Sequence, residues 1–194
     1  MEDSVSDTAA IVGDALLVVD VQCDFLPGGA LAVPGGDVVV APLAAWARRF
    51  AAAGCPVFVT GDRHPRDHCS FVAQGGTWPP HCVAGSPGAE FAPGLDLPAG
   101  ACVVAKATRR DADAYSGFAG TDLDAQLRAL GVRRLFVGGL ATDYCVVNTV
   151  LDALRLGYRV ILLLDCIRAV DVAAGDGERA IAAMLAAGAV AERG

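Results

Sequence analysis

The chain has 194 residues, 54% of them hydrophobic and 19% charged, with a net charge of −7. That length suits one domain with a sizeable core, and that balance excludes a disordered or low-complexity chain. The acidic balance also argues against a nucleic-acid partner, because the arginine pairs Arg48-Arg49, Arg109-Arg110 and Arg133-Arg134 are too scattered to build a basic face.

Residues 1 to 12 are polar and acidic, without the basic start and apolar centre of a signal peptide. They predict a flexible tail, followed by a single domain over 13–194. Ala15 to Val19 reads as a buried strand closing at Asp20. Val38 to Ala53 reads as a helix, with Pro42 tolerable only near its first turn and Gly54 after its end. Pro56 to Thr60 is a second strand, and Ala101 to Ala105 a third that ends at Lys106. Thr121-Asp122-Leu123-Asp124 has the pattern of a capping box opening a helix to Leu130. Arg134 to Gly138 is a fourth strand, followed by a helix from Thr142 to Leu156 that Thr142 or a neighbour caps. Arg159 to Leu164 is a fifth strand, and Glu178 to Ala187 a last helix.

Strands buried on both faces and separated by helices mean an α/β fold. We expect three α/β/α layers around a central, mostly parallel sheet of five or six strands. No apolar run reaches the roughly 20 residues of a membrane span, so no membrane partner and a cytoplasmic location are expected. Seven cysteines without a CxxC pair read as buried thiols by default. The 63–100 segment, rich in Gly, Pro, His and Trp, breaks the strand–helix rhythm and is too long for an ordinary connection.

In open α/β sheets ligands bind beyond the carboxyl ends of the strands. Asp20, Asp62 and Lys106 stand at such ends, and Cys145 follows the fourth strand. Lys106 is the one lysine among 15 basic residues. Cys145 falls in a first helical turn, where the helix dipole favours a thiolate and free N–H groups can hold an oxyanion. Asp20 is placed to take the thiol proton, and Lys106 to stabilise that carboxylate. The plainer readings are a buried cysteine, a capping aspartate and a surface lysine. Their convergence on one edge favours a nucleophile, base and cation set.

All three histidines, His64, His68 and His81, lie in the irregular segment beside Asp62. An Asp and a His two apart, with a later His, suit a divalent metal with open positions, zinc first and iron or manganese next. The alternatives are histidines that hydrogen-bond a loop to itself, or a closed zinc site on Cys69 and Cys82. Phe25 and Trp78 lie on loops beside these groups and suit the wall of a flat-ligand pocket.

The stretches VVDVQCDFLPGGALAV (18–33), GDRHPRDHCSF (61–71), TWPPHCVAGSPGAEF (77–91), AYSGF (114–118) and GGLATDYCV (138–146) occur in this order. On them the chain resembles the nicotinamidase (pyrazinamidase) family of the isochorismatase-like cysteine hydrolases. The resemblance implies a catalytic triad of Asp20, Lys106 and Cys145. It also implies a metal held by Asp62, His64 and His81, with His68 a ligand in only some members. It further implies a cis peptide between Leu140 and Ala141 that turns the Ala141 and Cys145 N–H groups into an oxyanion hole. Phe25, Trp78 and Tyr115 would line the substrate pocket. The implied reaction is hydrolysis of nicotinamide to nicotinate and ammonia through a thioester. The partner is then a small molecule, and a homo-oligomer stays open. Cys23, Arg63 and Tyr144 depart from the family's usual residues or fall at a variable position. The runners-up are an amidase for another heteroaromatic or ureido amide, and a metal-binding or redox-sensing protein without turnover.

Overall fold

The computed structural model describes residues 10–193. The tail expected over residues 1 to 12 therefore lies mostly outside the described residues. Its last part is held: the Ile11 N–H donates to Asp14, and the Cys55 thiol donates to the Ile11 carbonyl.

Six parallel strands form one sheet in the order β3-β2-β1-β4-β5-β6. They are β1 (Asp14–Val19), β2 (Val57–Asp62), β3 (Cys102–Lys106), β4 (Arg134–Leu140), β5 (Arg159–Arg168) and β6 (Val190–Glu192). The helices are α1 (Val40–Ala52), α2 (Leu123–Ala129), α3 (Val147–Arg155) and α4 (Asp176–Ala186). Every residue of β1 is buried, which is why it reads as an unbroken apolar run. Leu16 and Val18 join a core with Leu43, Trp46 and Phe50 of α1. Ala15, Leu17 and Val19 join a second core with Leu123 and Leu127 of α2, Val150 and Ala153 of α3, and Met184 of α4. The three expected layers follow. Among the described residues no helix is long and apolar enough to cross a membrane.

Several expectations need correction. β2, β4 and β5 run on through Gly61-Asp62, Gly139-Leu140 and Asp165 to Arg168, past the point where the apolar pattern stops. β6 has three residues, too few to show a period, and Val190 in it is exposed. The capping box is half formed. The Thr121 hydroxyl accepts from the Leu123 N–H, but Asp124 turns away to Arg128 and Tyr158. Thr142 makes no capping hydrogen bond, because a π-helical turn, Thr142–Val146, precedes α3. Cys23, Cys69 and Cys102 are half-buried rather than buried.

β1 and β4 are adjacent, and the chain runs outward from them in both directions, so the switch point lies between their ends. At the far end of this strand pair Arg134 grips Asp14 through two hydrogen bonds of 2.9 and 2.7 Å, both side chains buried. At the switch point Gly139 has φ +134°, and a Cβ there would lie 2.0 Å from the Val19 carbonyl oxygen. Gly139→Ala is expected to cost at least about 2 kcal/mol. That corresponds to a melting temperature lower by at least about 4 °C, read by thermal denaturation.

Candidate active site

Strand register assembles the site. Val19 pairs with Thr60 and with Gly139, and Asp62 pairs with Lys106. Asp20, Asp62, Lys106 and the turn carrying Cys145 therefore meet at one sheet edge, although they span 126 positions between residues 20 and 145 inclusive.

Lys106 is the centre of this group and is 1% exposed, so the reading of a surface lysine fails. Its Nζ donates to Asp62 Oδ1 at 2.6 Å, to the Ala114 carbonyl at 2.9 Å and to Cys145 Sγ at 3.5 Å. Those contacts use its three protons. Asp20 Oδ2 lies 2.9 Å from Nζ as an ion pair and accepts no aligned hydrogen bond. Asp20 Oδ1 is occupied by the Thr60 hydroxyl, which donates at 2.6 Å. Asp20, Asp62 and the Cys145 sulfur offer atoms all within 4.8 Å of one another.

Burial opposes the charge on Lys106 most strongly, yet Asp20 and then Asp62 hold its pKa well above the usual ammonium value. Burial raises the Asp20 carboxyl, against the pull of Lys106. Burial also pushes the Cys145 thiol well above its usual range; Lys106 offsets this only in part, and Asp20 and Asp62 add to it. Burial therefore opposes the thiolate that a helix dipole would favour. Cys145 lies in the π-helical turn rather than in an α-helical first turn, and desolvation outweighs any dipole. The expected cis peptide between Leu140 and Ala141 is present. The Tyr144 and Val146 N–H groups both donate to the Ala141 carbonyl, which folds the turn around Cys145.

Asp62, His64 and His81 present ligand atoms within 4.8 Å of one another, and all three are buried. His64 Nδ1 donates to the His81 carbonyl at 2.9 Å, and His81 Nδ1 to the Pro79 carbonyl at 2.8 Å. A carbonyl only accepts, so each neutral ring carries its proton on Nδ1 and leaves the Nε2 lone pair for a metal, as histidine ligands oriented by a carbonyl do. Burial lowers the His64 pKa to about 4, which keeps that imidazole neutral at pH 7. These residues fit a divalent ion. His68 does not join them. Its Nε2 donates to the Ala112 carbonyl at 3.2 Å and its Nδ1 accepts from the Ser70 hydroxyl at 2.8 Å, while with His64 and Asp113 it forms a separate set of possible ligand atoms within 4.8 Å. Among the described residues no metal-binding group includes Cys69 or Cys82.

A pocket opens onto Cys145, Ala141, Asp62, His64 and His81. Phe25, Trp78 and Tyr115 line it, where the sequence places them. Leu31, Ser70, Asp113 and Tyr144 line it too and were not foreseen as pocket residues. The Trp78 Nε1–H donates to the Tyr115 hydroxyl at 3.0 Å, and Tyr144 packs against both rings, with centroids at 5.2 and 5.7 Å. Thr60 and Gln22 were missed as well. Gln22 accepts from the Asp62 N–H and donates to the Asp62 carbonyl, which fixes the end of β2. Its place two residues after Asp20 was the available signal.

Residues 14–192 match the family model described as Isochorismatase domain. A nicotinamidase of Escherichia coli (strain K12) is 42% identical over 199 aligned residues, covering 90% of this chain and 92% of its own length. The chain belongs to the nicotinamidase family of isochorismatase-domain proteins. Among solved members, a pyrazinamidase of Pyrococcus horikoshii in complex with zinc superposes with a TM-score of 0.90 at 46% identity. The match covers 94% of this chain and 99% of that one. PnC1 of L. infantum, solved with nicotinate, has a TM-score of 0.86 at 38% identity, covering 96% and 95% of the two chains.

Of the three departures from the nicotinamidase pattern, only Tyr144 reaches the pocket. Arg63 lies over the Phe91 ring and donates to the Ala89 and Asp62 carbonyls. The Cys23 thiol donates to the Phe91 carbonyl at 3.7 Å.

Removing the buried ammonium strands two carboxylates in a dry interior. Lys106→Met is expected to destabilise the fold by about 3–5 kcal/mol at pH 7, read by urea denaturation. In the variant the folded-state pKa of Asp20 rises further above its unfolded value. The neutral carboxyl then favours folding at low pH, and that advantage is lost as pH rises. The gap between variant and wild type therefore narrows from pH 7 to pH 5.

Proposed function

We propose that this chain hydrolyses nicotinamide to nicotinate and ammonia, with Cys145 as nucleophile and Asp20 as proton carrier. The observation that carries the reading is the pairing of a thiol–carboxylate–ammonium cluster with an Asp–His–His group across one aromatic-walled pocket.

At rest the proton sits on Cys145 sulfur. Asp20 Oδ2 takes it as sulfur bonds to the carboxamide carbon. The Ala141 and Cys145 N–H groups receive the oxyanion. Asp20 then gives the proton to the departing nitrogen, the carbon–nitrogen bond breaks, and ammonia leaves a thioester. Water adds to the thioester, Asp20 carries one of its protons to the sulfur as the carbon–sulfur bond breaks, and the acid leaves as nicotinate, its remaining proton passing to solvent. Lys106 keeps Asp20 anionic between turnovers and screens charge that develops on the sulfur. Asp62, His64 and His81 would hold a divalent ion, which would supply Lewis-acid chemistry to the pyridine nitrogen; we propose zinc, which these donors suit and with which the P. horikoshii relative was solved. Phe25, Trp78, Tyr115 and Tyr144 sandwich the ring. Seven free cysteines support work in a reducing compartment, the cytoplasm.

Ammonia release from nicotinamide tests the reading. Metal-replete wild type is expected to turn over, and Cys145→Ala to lose at least about 10³-fold in kcat/KM. Chelation or His81→Ala should lower turnover together with bound metal, measured by elemental analysis. No turnover by reduced, metal-replete wild type contradicts the reading.

Asp20 must be ionised to act, and burial raises its pKa. Activity should therefore fall on acidification at a pH above the ordinary carboxylate range. Thr60→Val removes a hydrogen bond that favours the anion. The acid limb of the kcat/KM profile is expected to move to higher pH in that variant.

A further inference from the structure

The loop after β3 bears a charged, pocket-lining side chain that the reaction does not use. Asp113 is exposed and lines the pocket, with a carboxylate oxygen within 4.8 Å of ligand atoms of His64 and His68. Its backbone is pinned on both sides. The Ala112 carbonyl accepts from His68, and the Ala114 carbonyl accepts from Lys106. The Ala114 N–H fixes one carboxylate oxygen at 2.9 Å. Nearby cations are engaged elsewhere: Arg109 pairs with Asp111, and Arg110 with Asp67. Among the described residues Asp113 has no ion-pair partner. Its charge is therefore held in place and is not neutralised locally.

The reaction turns a neutral amide into an anion. Lys106 offsets one of the carboxylates Asp20 and Asp62, and a divalent ion beside Asp62 would leave the inner site net positive. A net positive site retains a carboxylate product. A fixed anion at its wall opposes that retention and leaves a neutral amide almost unaffected.

We propose that Asp113 is a specificity-determining residue that weakens binding of anionic ligands in this pocket, the aromatic carboxylate product above all. This rests on the amidase reading of the site. Losing one unit charge at the wall of a wet pocket changes the affinity of a bound carboxylate roughly three- to fivefold.

The test uses zinc-loaded wild type, Asp113→Asn and Asp113→Glu. Nicotinate binding is titrated by calorimetry at low and high salt, and nicotinamide KM is measured beside it. Asp113→Asn is expected to shift the ratio of nicotinate Kd to nicotinamide KM about three- to fivefold towards the anion. The shift should shrink at high salt, and Asp113→Glu should keep the wild-type ratio. An unmoved ratio in Asp113→Asn, a shift indifferent to salt, or the same shift in Asp113→Glu overturns the inference. Wild type that releases no ammonia from nicotinamide overturns the amidase reading on which it stands. Turnover with unmoved nicotinate affinity overturns this inference alone.

Discussion

A single buried ammonium organises the site. Lys106 Nζ lies 2.6 Å from Asp62 and 2.9 Å from Asp20, with no solvent around any of the three side chains to speak of. Two carboxylates this close and this dry do not both stay ionised unless a cation lies between them. The same ammonium reaches the Cys145 sulfur and the Ala114 carbonyl. It therefore joins the thiol half of the pocket to the Asp–His–His half and anchors the loop that forms a third wall.

The fold makes that junction by register rather than by flexible reach. β3 beside β2 sets Lys106 opposite Asp62, and β1 between β2 and β4 sets Asp20 between Thr60 and the Gly139 turn. Two helix layers bury both faces of β1, β2 and β4, so the ends of those strands are held by the two cores. Polar groups at the edge are then satisfied almost completely by one another. The exception is Asp20 Oδ2, and it is the oxygen that the proposed proton transfer requires. The same burial raises the Cys145 thiol, and Lys106 offsets this in part.

Much of this was legible in the chain. Strands buried on both faces announce themselves as apolar runs, and Asp20, Asp62 and Lys106 stand where those runs stop. The histidine-rich segment stood out because helix and strand periods both fail there. Features that depend on the third dimension were not legible. The polar ends of β2 and β5 carry no apolar pattern, and β6 is too short to have one. The ion pair of Lys106 with Asp62 joins residues 44 apart, and only register reveals it. Desolvation of the Cys145 sulfur, which outweighs a helix dipole, carries no local pattern in the chain. His68 looked like a ligand by residue type, but its ring bonds Ser70 and Ala112 and it falls outside the Asp62–His64–His81 group.

Lys106 is the chain's one lysine, so its side chain can be observed without assignment. The most direct measurement is a pH titration of the lysine ¹³Cε resonance in selectively labelled protein. A charged, buried hub predicts one lysine signal that stays in its ammonium form beyond the pH where a solvated lysine deprotonates. A signal that titrates at or below the ordinary lysine range would contradict the account, because the two carboxylates would then lack the cation that holds them together.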